Sequence, residues 1–82
     1  MYIKTQNNTL VNMDKIVSID ILNSINTHNA EIRAKTDKFE FEIYSGDINN
    51  VEDAFNTIQE GLIKEATLID FSDEESSINM EK

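Results

Sequence analysis

Few side chains in this sequence have much chemical reach. His28 is the single histidine, and so the only general base of the usual kind near neutral pH. It lies in Asn26-Thr27-His28-Asn29, a run of turn-forming residues, and reads as a solvated loop residue. Ser and Thr are plentiful, yet no nucleophile elbow, phosphate-cradling glycine loop or zinc spacing accompanies them. Cysteine is absent, which excludes disulfides and thiolate chemistry. The expectation is a protein that is not an enzyme, uses no cofactor and holds no metal.

The charged residues carry more information. Asp70, Asp73, Glu74 and Glu75 form a carboxylate cluster. Carboxylate oxygens suit calcium, but the spacing and internal glycine of a calcium hand are missing. The same four residues can imitate a row of phosphates and meet a basic groove on a partner; a solvated, inert tail is the plainer reading. Arg33, Lys35 and Lys38 are the only local basic group. Arg33 and Lys35 are candidates to contact a small anionic ligand such as a nucleotide, with two such patches joined at an oligomer interface. Ion pairing of Arg33 with Glu40 across two strands is the alternative.

Sixteen acids against seven Lys and Arg give a net charge of −9. Residues 1–46 sum to −1 and residues 47–82 to −8, so the excess lies in the C-terminal part. Phosphate contacts need clustered bases, so direct nucleic-acid binding is not expected; a basic protein surface is the fitting partner. No apolar run approaches the about 18 residues of a membrane span, and Met1-Tyr2-Ile3-Lys4 lacks a signal-peptide layout. A cytoplasmic location follows as an expectation.

The elements that must position these residues are readable from the period of the apolar positions. Asn7-Asn8 between Tyr2–Gln6 and Thr9–Met13 favours a two-residue hairpin turn, because asparagine tolerates positive φ. Ile16 to Asn23 alternates with period two and reads as a strand. A turn at Ile25-Asn26 pairs Ile21 with Ala30, Ile19 with Ile32 and Val17 with Ala34. A turn at Thr36-Asp37 pairs Ala34 with Phe39, Ile32 with Phe41 and Ala30 with Ile43, and sets Arg33 against Glu40. In this register Tyr44 points outward and is the candidate interface aromatic; Tyr2 and Phe71 are open between core and interface.

After Ser45-Gly46 the period changes. Val51, Ala54, Phe55, Ile58 and Leu62 follow helical spacing, with Asp47 and Asn50 as rival caps. Gly61 inside that helix costs about 1 kcal/mol against alanine unless it permits close packing. Thr67–Phe71 reads either as a short edge strand or as the end of the helix. From Ser72 on, Asp, Glu and Ser dominate without period. The fold class expected is α+β: a curved antiparallel β-meander of four to five strands packed on one C-terminal helix. The domain spans 1–71, and 72–82 is an acidic, disordered tail.

Tyr2-Ile3-Lys4-Thr5-Gln6, then Leu10-Val11-Asn12-Met13-Asp14-Lys15-Ile16, then Tyr44-Ser45-Gly46 at a corner and Glu52–Leu62 in a helix resemble a broad group of small proteins. These come from low-GC bacteria and their phages. The resemblance covers about residues 1–63 and implies a meander closed by a C-terminal helix, a reduced pleckstrin-homology-like half barrel. It carries no assigned activity and therefore no catalytic residue. Together with size and acidity it suggests a phage or mobile-element inhibitor of a host defence component, acting by stoichiometric binding to a host protein. An oligomer that sequesters a small anion and a housekeeping adaptor are the alternatives. Unguarded strand edges, in a chain without proline, further suggest a homodimer or a docked partner strand.

Overall fold

A computed structural model describes residues 1–24, 26–72 and 79–80, the last two by backbone alone. The strands are β1 (Tyr2–Lys4), β2 (Leu10–Asn12), β3 (Ser18–Asn23), β4 (Asn29–Lys35), β5 (Glu40–Asp47), β6 (Leu68–Asp70) and β7 (Asn79–Met80). One helix, α1 (Ile48–Ile63), follows β5, and a 3-10 turn, Met13–Lys15, joins β2 to β3. The fold is α+β, and α1 packs on the strands as the periodicity predicts. No helix among the described residues is long and apolar enough to cross a membrane.

The strands form two sheets rather than one meander. β3-β4-β5 is the expected antiparallel meander, whereas β2-β1-β6-β7 is a separate sheet. Thr67–Phe71 resolves as strand: β6 lies parallel to β1, with Ile3 beside Ile69, and antiparallel to β7. It is therefore interior to its sheet, not an edge. At Asn79–Met80 the C-terminal segment is strand, not the aperiodic tail expected from Ser72 on; residues 73–78 and 81–82 lie outside the described residues.

The hairpins keep the expected faces but shift their register by two. Ile19 pairs with Ala34 and Ile21 with Ile32. Ala34 pairs with Phe41. As far as the bulge described below, a two-residue shift returns each side chain to its expected face, so Ala30, Ile32 and Ala34 stay buried, and Ile43 is buried too; Val17 and Phe39, expected on the same face, are exposed. Thr36 causes the shift at the β4–β5 turn. Its hydroxyl accepts from the N–H groups of Lys38 (3.1 Å) and Phe39 (2.8 Å), and its own N–H donates to the Phe39 carbonyl (2.8 Å). Thr36 thus closes the ladder and moves the turn to Asp37-Lys38. In the β3–β4 connection Ser24 N–H donates to the Asn29 carbonyl, so residues 25–28 span the gap; Ile25, one of the two expected turn residues, lies outside the described ones.

A bulge corrects the expectation for Tyr44. Arg33 pairs with Glu42 and Ile32 with Tyr44, which leaves Ile43 as an extra residue in β5. Beyond the bulge Tyr44 opposes buried Ile32 and turns inward, its ring edge-on to Phe71 at 5.5 Å. It is not an outward-facing aromatic. Phe71 is core, and Tyr2 is 43% exposed. Phe41 is half-buried beside Phe39, not buried next to Ile32.

In the first hairpin three residues, 6–8, connect the strands instead of two. Asn8 takes the positive φ of 67° that its residue type suggested, and its N–H donates to the Thr5 carbonyl. In α1, Asp47 is the cap: its carboxylate accepts from Asn49 N–H at 2.9 Å. The buried stripe is Val51, Ala54, Ile58 and Gly61; Leu62, expected inside, is 51% exposed. The stripe turns onto Gly61 because a Cβ there would stand 2.6 Å from the Ile69 methyl. Glycine lets α1 seat on β6.

Candidate functional site

Alternation along β3, β4 and β5 gives the antiparallel sheet one face toward α1 and one toward solvent. The solvent face brings together Ser18, Asp20 and Leu22 of β3, Glu31, Arg33 and Lys35 of β4, and Glu40 and Glu42 of β5. Arg33 is its centre. Its Nε donates to Glu40 at 2.8 Å and its Nη1 to Glu31 at 3.0 Å, with Glu42 at 4.0 Å. The bonds to Glu40, then Glu31, raise the guanidinium above its ordinary pKa. The expected Arg33–Glu40 pair therefore forms, and Glu31 and Glu42, which the sequence reading did not single out, complete a carboxylate ring. The two-residue register shift placed Glu42 there.

This arrangement works against an anion at Arg33, since a ligand phosphate meets three carboxylates before the guanidinium. Lys35 lies in the next row, between Ser18 and Glu40. Four carboxylates (Asp20, Glu31, Glu40, Glu42) share the face with two bases (Arg33, Lys35). Asp20 stands in the row of Arg33 and makes no ion pair among the described residues. On α1, exposed Glu52, Asp53 and Glu60 add negative charge without a base in the last helical turn.

The predicted acidic cluster is only partly in view. Asp70 is half-buried in β6, and its carboxylate accepts from the Ser72 hydroxyl at 2.6 Å and from Ser72 N–H at 2.8 Å. These bonds, and Lys4 beside it across the parallel ladder, hold its pKa below the ordinary value of 3.8. Asp70 thus closes the end of β6. Asp73, Glu74 and Glu75 lie outside the described residues. His28 is exposed in its loop, and its carbonyl accepts from Ile48 N–H at 2.7 Å. Lys38 is exposed at the β4–β5 turn. Among the described residues no three His, Cys, Asp or Glu side chains stand together as a metal site.

The edges of this sheet differ. β5 is closed by the β1–β2 loop: Gln6 N–H donates to the Ile43 carbonyl at 3.0 Å, and the Gln6 side-chain oxygen accepts from Ser45 N–H at 3.0 Å. β3 is open. The Ser24–Asn29 bond fixes which residues of β3 face β4, and alternation then turns the backbone groups of Ile19, Ile21 and Asn23 away from the sheet. No strand among the described residues pairs with that edge. Two grooves flank it: one lined by Met13, Ile16, Val17, Ile19 and Leu62, the other by Ile21, Asn23, His28, Ile48 and Glu52. No family model matches the chain, and no curated protein or solved structure does either.

Proposed function

We propose that the chain is a non-enzymatic binding protein that engages a protein with a basic surface in fixed stoichiometry. The observation that supports this reading is the solvent face of β3–β5, where four carboxylates share the surface with two bases and the central arginine is already neutralised. A face of this kind attracts clustered Lys and Arg and repels phosphate. The inhibitor of a bacterial defence component, encoded by a phage or mobile element, is the narrower form of the same proposal and rests on the sequence resemblance. The alternative, an oligomer that sequesters a small anion through Arg33 and Lys35, is less well supported, because Glu31, Glu40 and Glu42 surround Arg33.

Pull-down with the full chain from a bacterial lysate identifies a candidate, and calorimetric titration of the purified pair tests it. The expected result is a whole-number ratio and an affinity that weakens as salt rises from low to physiological strength. An affinity indifferent to salt, or tight binding of an acidic protein, contradicts the proposal.

A further inference from the structure

The open edge of β3 is the place in the molecule least explained by its own fold. Three backbone N–H groups and three carbonyls, on Ile19, Ile21 and Asn23, point away from β4. Natural sheets guard such an edge with proline, lysine, a bulge or a covering loop. The opposite edge of this sheet has a covering loop at Gln6, whereas β3 shows no proline, lysine or covering loop among the described residues, and Asp20 is its one charge. Its length of six residues is enough for a ladder. The side chains beside it are suited to contact: Ile19 and Ile21 are half-buried and Val17 is 71% exposed.

We infer that β3 receives an extended strand from the basic partner, added edge-on to the β3-β4-β5 sheet, with apolar side chains turned inward and Lys or Arg turned outward. This deepens the binding reading above and rests on it. The alternation follows from the two faces of β3. A strand paired to β3 sends every second side chain toward α1, into the grooves bounded by Ile16, Ile19 and Leu62 and by Ile21 and Ile48. The intervening side chains lie on the solvent face beside Asp20, which makes no ion pair among the described residues, in the row that continues to Arg33 and Glu42. A base at that level completes a charge pair, and an acid there faces repulsion. The same argument disfavours a second copy of β3: each chain carries a net charge of −9, and its own edge offers an aspartate instead of a base.

The probe is a capped eight-residue peptide alternating valine and lysine, added to the full chain and followed by amide hydrogen exchange. Saturating peptide is expected to slow exchange at Ile19, Ile21 and Asn23 by about tenfold or more. A peptide of the same sequence, N-methylated on its central residues, keeps charge and side chains but cannot complete a ladder, and should give no protection. Asn23→Pro removes one outward N–H that the β3–β4 ladder does not use, so it should weaken binding and leave the protein folded. Asp20→Lys serves as a second variant and should weaken binding by charge alone. Equal binding of the methylated peptide, or changes confined to Glu31, Glu40 and Glu42, overturns the strand inference and leaves the acidic-face reading intact. Protection of the same amides in the free protein at high concentration shows a second copy on the edge and also overturns it. If neither the peptide nor any basic protein binds, both readings fail.

Discussion

Gly61→Ala tests how α1 is seated, and its effect can be worked out from one contact. The new methyl stands 2.6 Å from the Ile69 Cδ1, whereas Met1 Sδ at 3.4 Å and Ile69 Cγ1 at 3.5 Å remain ordinary neighbours. Alanine gains about 1 kcal/mol of helix propensity over glycine. Overpacking a closed core costs about 1–3 kcal/mol, and Ile69 has no exposed surface into which to move. The single variant should therefore be destabilised by about 1 kcal/mol. Ile69→Val removes the clashing methyl at a cost of about 1 kcal/mol. In that background Gly61→Ala should instead stabilise by about 1 kcal/mol, a coupling of about 2 kcal/mol. Urea unfolding of the four proteins measures it. If Gly61→Ala stabilises by the same amount in both backgrounds, α1 does not rest on β6 at this point and the helix placement is wrong.

Glu65 follows the helix at a positive φ of 58°, with Ala66 N–H bonded to the Gly61 carbonyl; Glu65→Gly should raise stability by about 1 kcal/mol in urea unfolding. Asp70 has a depressed pKa, so its stabilising effect is present above the ordinary value of 3.8 and is lost as pH falls through that value and below. The stability of the parent protein should thus fall more steeply below about pH 4 than that of Asp70→Asn, and parallel curves contradict the Ser72 contact. Ile32→Ala should cost about 3 kcal/mol and Phe41→Ala clearly less, because Ile32 is fully buried and Phe41 is only half so; equal losses would falsify the shifted register.

The parts of the fold that depend on local period were legible in the sequence. Strand alternation in β3, β4 and β5 and helical spacing from Val51 to Ile58 need only neighbours along the chain. Parity also protected the core list, since a shift of two leaves Ala30, Ile32 and Ala34 facing inward. The rest depends on contacts that period does not encode. The parallel pairing of Ile3 with Ile69 joins the two ends of the chain, so the split into two sheets was not visible. A single Thr36 hydroxyl moved one turn, and the extra Ile43 turned Tyr44 inward. In the candidate site the Arg33–Glu40 pair was readable because it survives the shift, while Glu31 and Glu42 required the actual register. Gly61 had two readings until its distance to Ile69 separated them.

If the carboxylates of the β3–β5 face draw in a basic partner, as proposed, association kinetics will show it. Neutralising three of them, in an Asp20→Asn, Glu40→Gln, Glu42→Gln variant, should slow association about tenfold at low ionic strength, with dissociation changed less. The gap between parent and variant should close as salt rises, because screening removes the same attraction. Equal association rates for the two proteins at low salt would contradict the account and place the binding surface elsewhere on the chain.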